Sequence, residues 1–168
     1  MADFDKYAPR LKRLEGGWSN SKYDRGGATM CGVTLAVFRS FFGNERTKED
    51  LHNITEDQWR TVMKSYWDRC KGDQIRNQSI AEIFVDWHVN AGVNGIKAMQ
   101  RACMLTADGI VGPRTLAVLN SPNAEVIFNR IKDARISYYR KLALSNPSQN
   151  IFLNGWLNRT AAFEFAEQ

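Results

Sequence analysis

The stretch Thr55-Glu56-Asp57-Gln58-Trp59-Arg60-Thr61-Val62-Met63-Lys64-Ser65-Tyr66-Trp67-Asp68-Arg69-Cys70 decides the fold class. Its apolar residues Trp59, Val62, Met63, Tyr66, Trp67 and Cys70 recur at i, i+3, i+4, i+7, i+8 and i+11. That is the period of one face of a helix, not the alternation of a strand. Thr55 and Gln58 stand ahead of the stripe at the spacing that lets each side chain satisfy the other residue's backbone N–H. The pattern predicts a helix over 56–69.

The same period returns on both sides. Ser79 and Glu82 repeat the capping-box spacing ahead of Ile80, Ile83, Phe84, Trp87 and Ala91. Val85 and Val89 add a second apolar face, so this helix is expected to be surrounded by protein on most sides and to be central. Further helices are expected over about 3–15, 34–42, 47–52, 95–104, 114–120, 124–143 and 149–165. Pro113, after Gly112, suits a first helical turn, and Asn146-Pro147-Ser148 marks the last break. One stretch resists helix: Gly16 to Gly32 holds five glycines with Asn20, Ser21 and Asp24 among them. It reads as a loop or a short irregular hairpin, the kind of segment on which sites concentrate. The expected fold is therefore all-α with one small loop or β-hairpin lobe.

Composition narrows the function classes. With 168 residues, 43% hydrophobic and 11% aromatic, the chain has material for a real core, which argues against disorder or a low-complexity class. No apolar run reaches the roughly 20 residues that cross a bilayer. The start, Met1-Ala2-Asp3-Phe4-Asp5-Lys6, shows no basic flank feeding an apolar segment, so no signal peptide is visible. An excess of 23 Lys+Arg over 18 Asp+Glu, +5, favours anionic partners without choosing among nucleic acid, acidic lipid and cell wall. Cys31, Cys70 and Cys103 are odd in number and far apart, and only His52 and His88 are present. These exclude a disulfide framework and the familiar Cys/His metal patterns. Three free thiols are expected, with Cys31 read as packing and His88 as a core histidine. The P-loop, dinucleotide-fold, HExxH and GxSxG signatures are all missing, and no helix-turn-helix or aromatic-basic RNA motif supports a nucleic-acid binder.

The chemistry concentrates at Glu15, which closes the first helical pattern directly before Gly16-Gly17. An acid in the last helical turn faces the negative end of the helix dipole, and Leu11, Leu14 and Trp18 are its apolar neighbours in sequence. Both influences disfavour the carboxylate and push the pKa upward. A glutamate kept protonated near neutrality is what a general acid for a glycosidic oxygen requires.

Around it, Leu14-Glu15-Gly16-Gly17-Trp18 runs through Asp24-Arg25-Gly26-Gly27-Ala28-Thr29 to Gly32-Val33-Thr34. This segment resembles the glutamate-glycine-glycine-aromatic signature of glycoside hydrolase family 108, a lysozyme-like group of muramidases. It is also similar to the phage lysozyme pattern of Glu, eight residues, Asp, five residues, Thr. Asp24 keeps the eight-residue spacing, whereas Thr29 follows after four residues, one short. The resemblance implies Glu15 as acid, Asp24 as the group that orients a water or stabilises positive charge on the opposite sugar face, and Thr29 as a holder of that water. A second patch, Asp86-Trp87-His88-Val89-Asn90-Ala91-Gly92 and Ala98-Met99-Gln100, leads into Asp108-Gly109-Ile110-Val111-Gly112-Pro113-Arg114-Thr115. It resembles the small helical peptidoglycan-binding module that follows the catalytic part in family 108. The ending Phe152-Leu153-Asn154-Gly155-Trp156-Leu157-Asn158-Arg159 is similar to the family's closing helix.

The resemblance implies a lysozyme-like catalytic part over 1–92 and a peptidoglycan-binding-like part over 93–168, packed as one compact unit. It implies a monomer that cleaves the β-1,4 bond between N-acetylmuramic acid and N-acetylglucosamine, with no cofactor, metal, nucleic acid or stable membrane insertion. Such an enzyme would be made in the cytoplasm and act on the wall after release or dedicated secretion. Trp18, Tyr66 and Asn90 are the candidate sugar contacts, since aromatic faces stack on pyranose rings and amides bond their hydroxyl and acetamido groups. Two rivals stand beside this reading: a non-catalytic wall-binding or secretion-associated protein of the same fold, and a basic helical nucleic-acid binder.

Overall fold

The computed structural model describes residues 1–21 and 27–168. Asp24 lies outside these residues. The chain forms two compact units, one of Phe4–Tyr66 and one of Met1–Asp3 with Trp67–Gln168.

The first unit starts with α1 (Phe4–Glu15), which buries Phe4, Tyr7, Ala8 and Leu11 along one face. Three two-residue strands follow: β1 (Trp18–Ser19), β2 (Thr29–Met30) and β3 (Val33–Thr34), antiparallel in the order β1-β2-β3. The described residues of the glycine-rich stretch, with the two that follow it, thus contribute a small three-stranded sheet, one strand more than a hairpin. The register pairs Trp18 with Met30 and Met30 with Val33, while Ser19, Thr29 and Thr34 form the adjoining row. Because side chains alternate between faces, the first row is apolar and the second carries hydroxyls. Thr34 then caps α2 (Leu35–Phe42), accepting from the Val37 N–H at 3.2 Å. Helix α3 (Lys48–His52) opens on a full Thr47/Asp50 capping box. Helix α4 (Glu56–Arg69) opens on the predicted pair, Thr55 and Gln58 exchanging bonds of 3.0 and 3.1 Å. Its Trp59, Val62 and Met63 are buried.

The second unit is built on α5 (Gln78–Ala91), in which every residue from Ile80 to His88 is buried. The second apolar face predicted for this helix is therefore real. Its start corrects the sequence reading. Asn77, not Ser79, is the N-cap, its side chain accepting from the Ile80 N–H at 3.1 Å. Ser79 instead accepts from the Ala166 N–H, and Glu82 accepts from the Gln78 amide. Two possible caps stood two residues apart, and contacts from the distant C-terminal tail chose between them. Around α5 lie α6 (Val93–Ala102), α7 (Pro113–Leu119, with Pro113 in the first turn), α8 (Ala124–Ser145) and α9 (Leu153–Ala161). A 3-10 turn over Pro147–Phe152 precedes α9, which stops at Ala161, short of the expected 165.

Two polar networks hold this unit. Asp86, fully buried, takes Arg135 at 2.7 Å and both Nη2 and Nε of Arg159 at 2.7 and 2.9 Å. Arg135 also lies 5.6 Å from the Tyr139 and Phe163 ring centres, so two aromatic faces share its charge. Gln100, 1% exposed, accepts from the Gly109 N–H and donates toward Asp108 Oδ1, the Ile110 carbonyl and Thr115 Oγ1. The Asp-Gly-x-x-Gly-x-x-Thr run is thereby a loop scaffold organised by one buried amide. Hydrogen bonds from the Ile110 N–H and the Gln100 amide hold the Asp108 carboxyl below its usual range. No helix among the described residues is long and apolar enough to cross a membrane.

Candidate functional site

Glu15 is the last residue of α1, four residues beyond Leu11 and eight beyond Tyr7. That spacing continues the buried face to the helix end, and Glu15 is accordingly half-buried. Gly16, with φ 72°, turns the chain out of the helix.

The carboxyl lies against the backbone of Gly32. A Cβ at Gly32 would stand 2.8 Å from the Glu15 Cγ and closer still to the carboxyl, so the missing side chain is the space the acid occupies. Gly32 is also half of the two-residue connection between β2 and β3, where Cys31 and Gly32 both have positive φ, 48° and 81°. Tight hairpins whose twist matches the strands require this conformation. One glycine therefore meets a local demand of the turn and a steric demand of the acid.

Trp59 fixes the turn from the other side, its indole N–H donating to the Cys31 carbonyl at 2.9 Å in a buried bond. Lys12, one turn before Glu15, lies 5.4 Å from the centre of the Trp59 ring and is ion-paired with Glu56 at the start of α4. Burial pushes the Cys31 thiol up, with Lys12 opposing and the Glu56 and Glu15 charges adding to the rise. Cys31 is therefore a protonated packing residue, as expected from sequence. Burial likewise raises the Tyr66 hydroxyl, and the Glu15 charge adds to it. Tyr66 thus stays a neutral donor within electrostatic reach of the acid.

The predicted site residues divide accordingly. Tyr66 lies in the first unit with Glu15, whose charge adds to the rise of its hydroxyl pKa. Thr29 is half-buried in the central strand β2, in the hydroxyl row with Ser19 and Thr34, two residues before the turn that seats Glu15. Trp18, on β1, is 38% exposed and rests against the His52 ring at 4.7 Å. Asn90 belongs to the second unit, where it is exposed and its Oδ1 accepts from the Tyr139 hydroxyl at 2.6 Å. Asp24 is not among the described residues. His88 is buried, which lowers its pKa and keeps the imidazole neutral, in line with a core role.

Sequence reasoning missed Gly32 as the seat of the acid, Trp59 as its support, and the Lys12–Glu56 pair. A two-residue Cys-Gly step between Thr29-Met30 and Val33-Thr34 was a visible hairpin signal for the first. Nothing local announced the other two, whose partners lie 28 and 44 residues away.

The family model described as glycosyl hydrolase 108 matches residues 9–92, and that described as a predicted peptidoglycan domain matches 94–161. Among solved structures, SagA of Brucella abortus is 26% identical with a TM-score of 0.77, covering 95% of this chain and 94% of its own. No curated protein matches the chain.

Proposed function

The chain belongs to glycosyl hydrolase family 108, half of its length matching that family with a peptidoglycan domain following, and from this premise of a glycosidase acting on peptidoglycan we propose a muramidase with Glu15 as its general acid. The bond cleaved is the β-1,4 link from N-acetylmuramic acid to N-acetylglucosamine. The observation that carries the reading is the seat of Glu15: a half-buried carboxyl at the negative end of α1, laid on the one residue of the β2–β3 turn that has no side chain. Protonated there, it delivers its proton to the leaving glycosidic oxygen as the C–O bond breaks.

The remaining roles follow from the same chemistry. The Asp24 carboxylate stabilises the developing oxocarbenium charge or orients the attacking water, and the Thr29 hydroxyl holds that water. Tyr66, neutral and near the acid, donates to a sugar hydroxyl or to the Glu15 carboxylate once its proton has left. Trp18 offers an aromatic face for stacking. The enzyme is made in the cytoplasm and reaches the wall by lysis or dedicated secretion, its +5 charge favouring encounter with the carboxylate-rich polymer at low salt.

The experiment is digestion of purified peptidoglycan followed by borohydride reduction and mass spectrometry. Reduced muramic ends are expected. Reduced glucosamine ends would make the enzyme a glucosaminidase, and no new reducing ends would make the chain a binder. In parallel, Glu15→Gln is expected to lower turnover by about 10²–10⁴-fold while retaining wall binding in a pull-down. Wild-type turnover in that variant removes Glu15 from the mechanism.

A further inference from the structure

The second unit carries a cavity of about 820 Å³ beside the start of α8, in the size range that small ligands occupy. Its walls are pinned by the fold itself. Asn120, at the end of α7, accepts from the Arg76 N–H at 2.7 Å and donates to the Gln74 carbonyl at 2.8 Å. Asn77 donates to the Ala166 carbonyl at 2.9 Å, Ser79 accepts from the Ala166 N–H, and the Phe165 ring rests against Phe128. The segment after α9 is thus a fixed side of the cavity. The lining is of two kinds. Leu119, Pro122, Val126 and Phe165 are apolar, and Val126 is 55% exposed. Arg76, Glu125 and Glu167 are charged and exposed, and none of them is ion-paired among the described residues.

One arginine against two glutamates leaves this cavity net negative, although the chain as a whole carries +5. A surface charge that draws the chain to a carboxylate-rich polymer is therefore reversed here, in favour of a ligand with an amine. Apolar surface beside carboxylates suits an aliphatic amine in particular, whose methylenes cover the first while its ammonium meets the second. Arg76 adds a partner for a carboxylate. Within peptidoglycan these groups occur together only in the stem peptide, which holds a diamino acid among carboxylates; the N-acetylated sugars of the strand have no free amine. We propose that this cavity binds the stem peptide of peptidoglycan, with the side chain of its diamino acid along Val126 and Phe165, the ammonium toward Glu125 and Glu167, and a stem carboxylate toward Arg76. The proposal rests on peptidoglycan as the substrate and is independent of the acid assigned to Glu15. It gives the second unit a task of its own, to select the polymer by its peptide rather than by its sugars.

The test is nitrogen-15 NMR of the full chain titrated with three probes. These are N-acetyl-L-Ala-γ-D-Glu-meso-diaminopimelate-D-Ala, the same peptide with its one free amine acetylated, and chitotetraose. The free-amine peptide is expected to shift the backbone amides of Asn77 and of the stretch from Asn120 to Val126, and chitotetraose is expected to leave them in place. Acetylating the amine should weaken binding by about tenfold, since an exposed ion pair contributes about three- to fivefold and two are lost. The double variant Glu125→Gln/Glu167→Gln should weaken the free-amine peptide by the same factor and leave the acetylated one unaffected, the coupling expected of groups in contact. Arg76→Gln should weaken both peptides alike, by about three- to fivefold. All three side chains are exposed and bond nothing among the described residues, so the variants keep the fold. Unmoved amides with the free-amine peptide, equal binding of its acetylated form, or the same amides shifted by chitotetraose overturns the proposal. The muramidase reading fails separately, because the peptide has no glycosidic bond: a chain that binds it but releases no reducing ends from the wall keeps this site and loses that activity.

Discussion

Replacing Gly32 by alanine puts one methyl group where the Glu15 carboxyl now lies. Two costs can be separated. The first belongs to the backbone: φ at Gly32 is 81°, a conformation that costs an L-residue about 1–2 kcal/mol. The second belongs to the contact: the new Cβ would sit 2.8 Å from Glu15 Cγ and closer to the carboxyl, so the acid must swing off its seat. A glutamate side chain moves easily, and its displacement adds little to the stability loss. The expected loss is therefore about 1–2 kcal/mol, a fall in Tm of about 2–4 °C for each kcal/mol in a chain of this size. Catalysis is affected far more, because displacing a reacting group by about 1 Å costs on the order of 10²-fold. The assay pairs calorimetry with turnover on soluble muropeptide oligomers, for Gly32→Ala, Glu15→Ala and the double variant. In the Glu15→Ala background only the backbone cost should remain, and Gly32→Ala should have no further effect on turnover. A folded Gly32→Ala enzyme that turns over at the wild-type rate refutes the seat assigned to Glu15.

Other expectations can be checked alongside. Asp24→Asn should lower single-turnover cleavage more than wall affinity, and Thr29→Ala should do so less severely, since a carboxylate near a developing cation acts in the transition state; wild-type cleavage by Asp24→Asn makes Asp24 a turn residue. Asp86→Asn leaves Arg135 and Arg159 facing a neutral amide in a buried site and should cost about 3–5 kcal/mol in denaturant unfolding; a loss below about 1 kcal/mol would mean that the flanking rings suffice for the arginines. Burial holds His88 below its ordinary 6.5, so the unfolded chain takes up that proton first and stability is lost as pH falls from about 6.5 toward the folded value. His88→Gln should accordingly flatten the dependence of Tm on pH in that window, and parallel curves for the two proteins would count against a depressed folded-state pKa.

What the sequence determined by itself was whatever depends on neighbours within a few residues. The stripe from Trp59 to Cys70 and the Thr55/Gln58 pair defined α4 because helical periodicity and caps are local, and Pro113 marked its helix start for the same reason. Glu15 was legible as an acid at a helix end because the following glycines stop the helix there. The tertiary structure decided which of several local options was taken. Ser79 had the spacing of a cap, yet Asn77 is the cap, because the Ala166 backbone occupies the Ser79 hydroxyl. Lys12 had Glu15 within reach on its own helix, yet pairs with Glu56, 44 residues away. Gly32 showed in sequence only a turn, and the acid lying on it is a contact across 17 positions. Periodicity encodes the face a helix will bury; which side chains share the space beneath that face is set by atoms that the chain brings together only on folding.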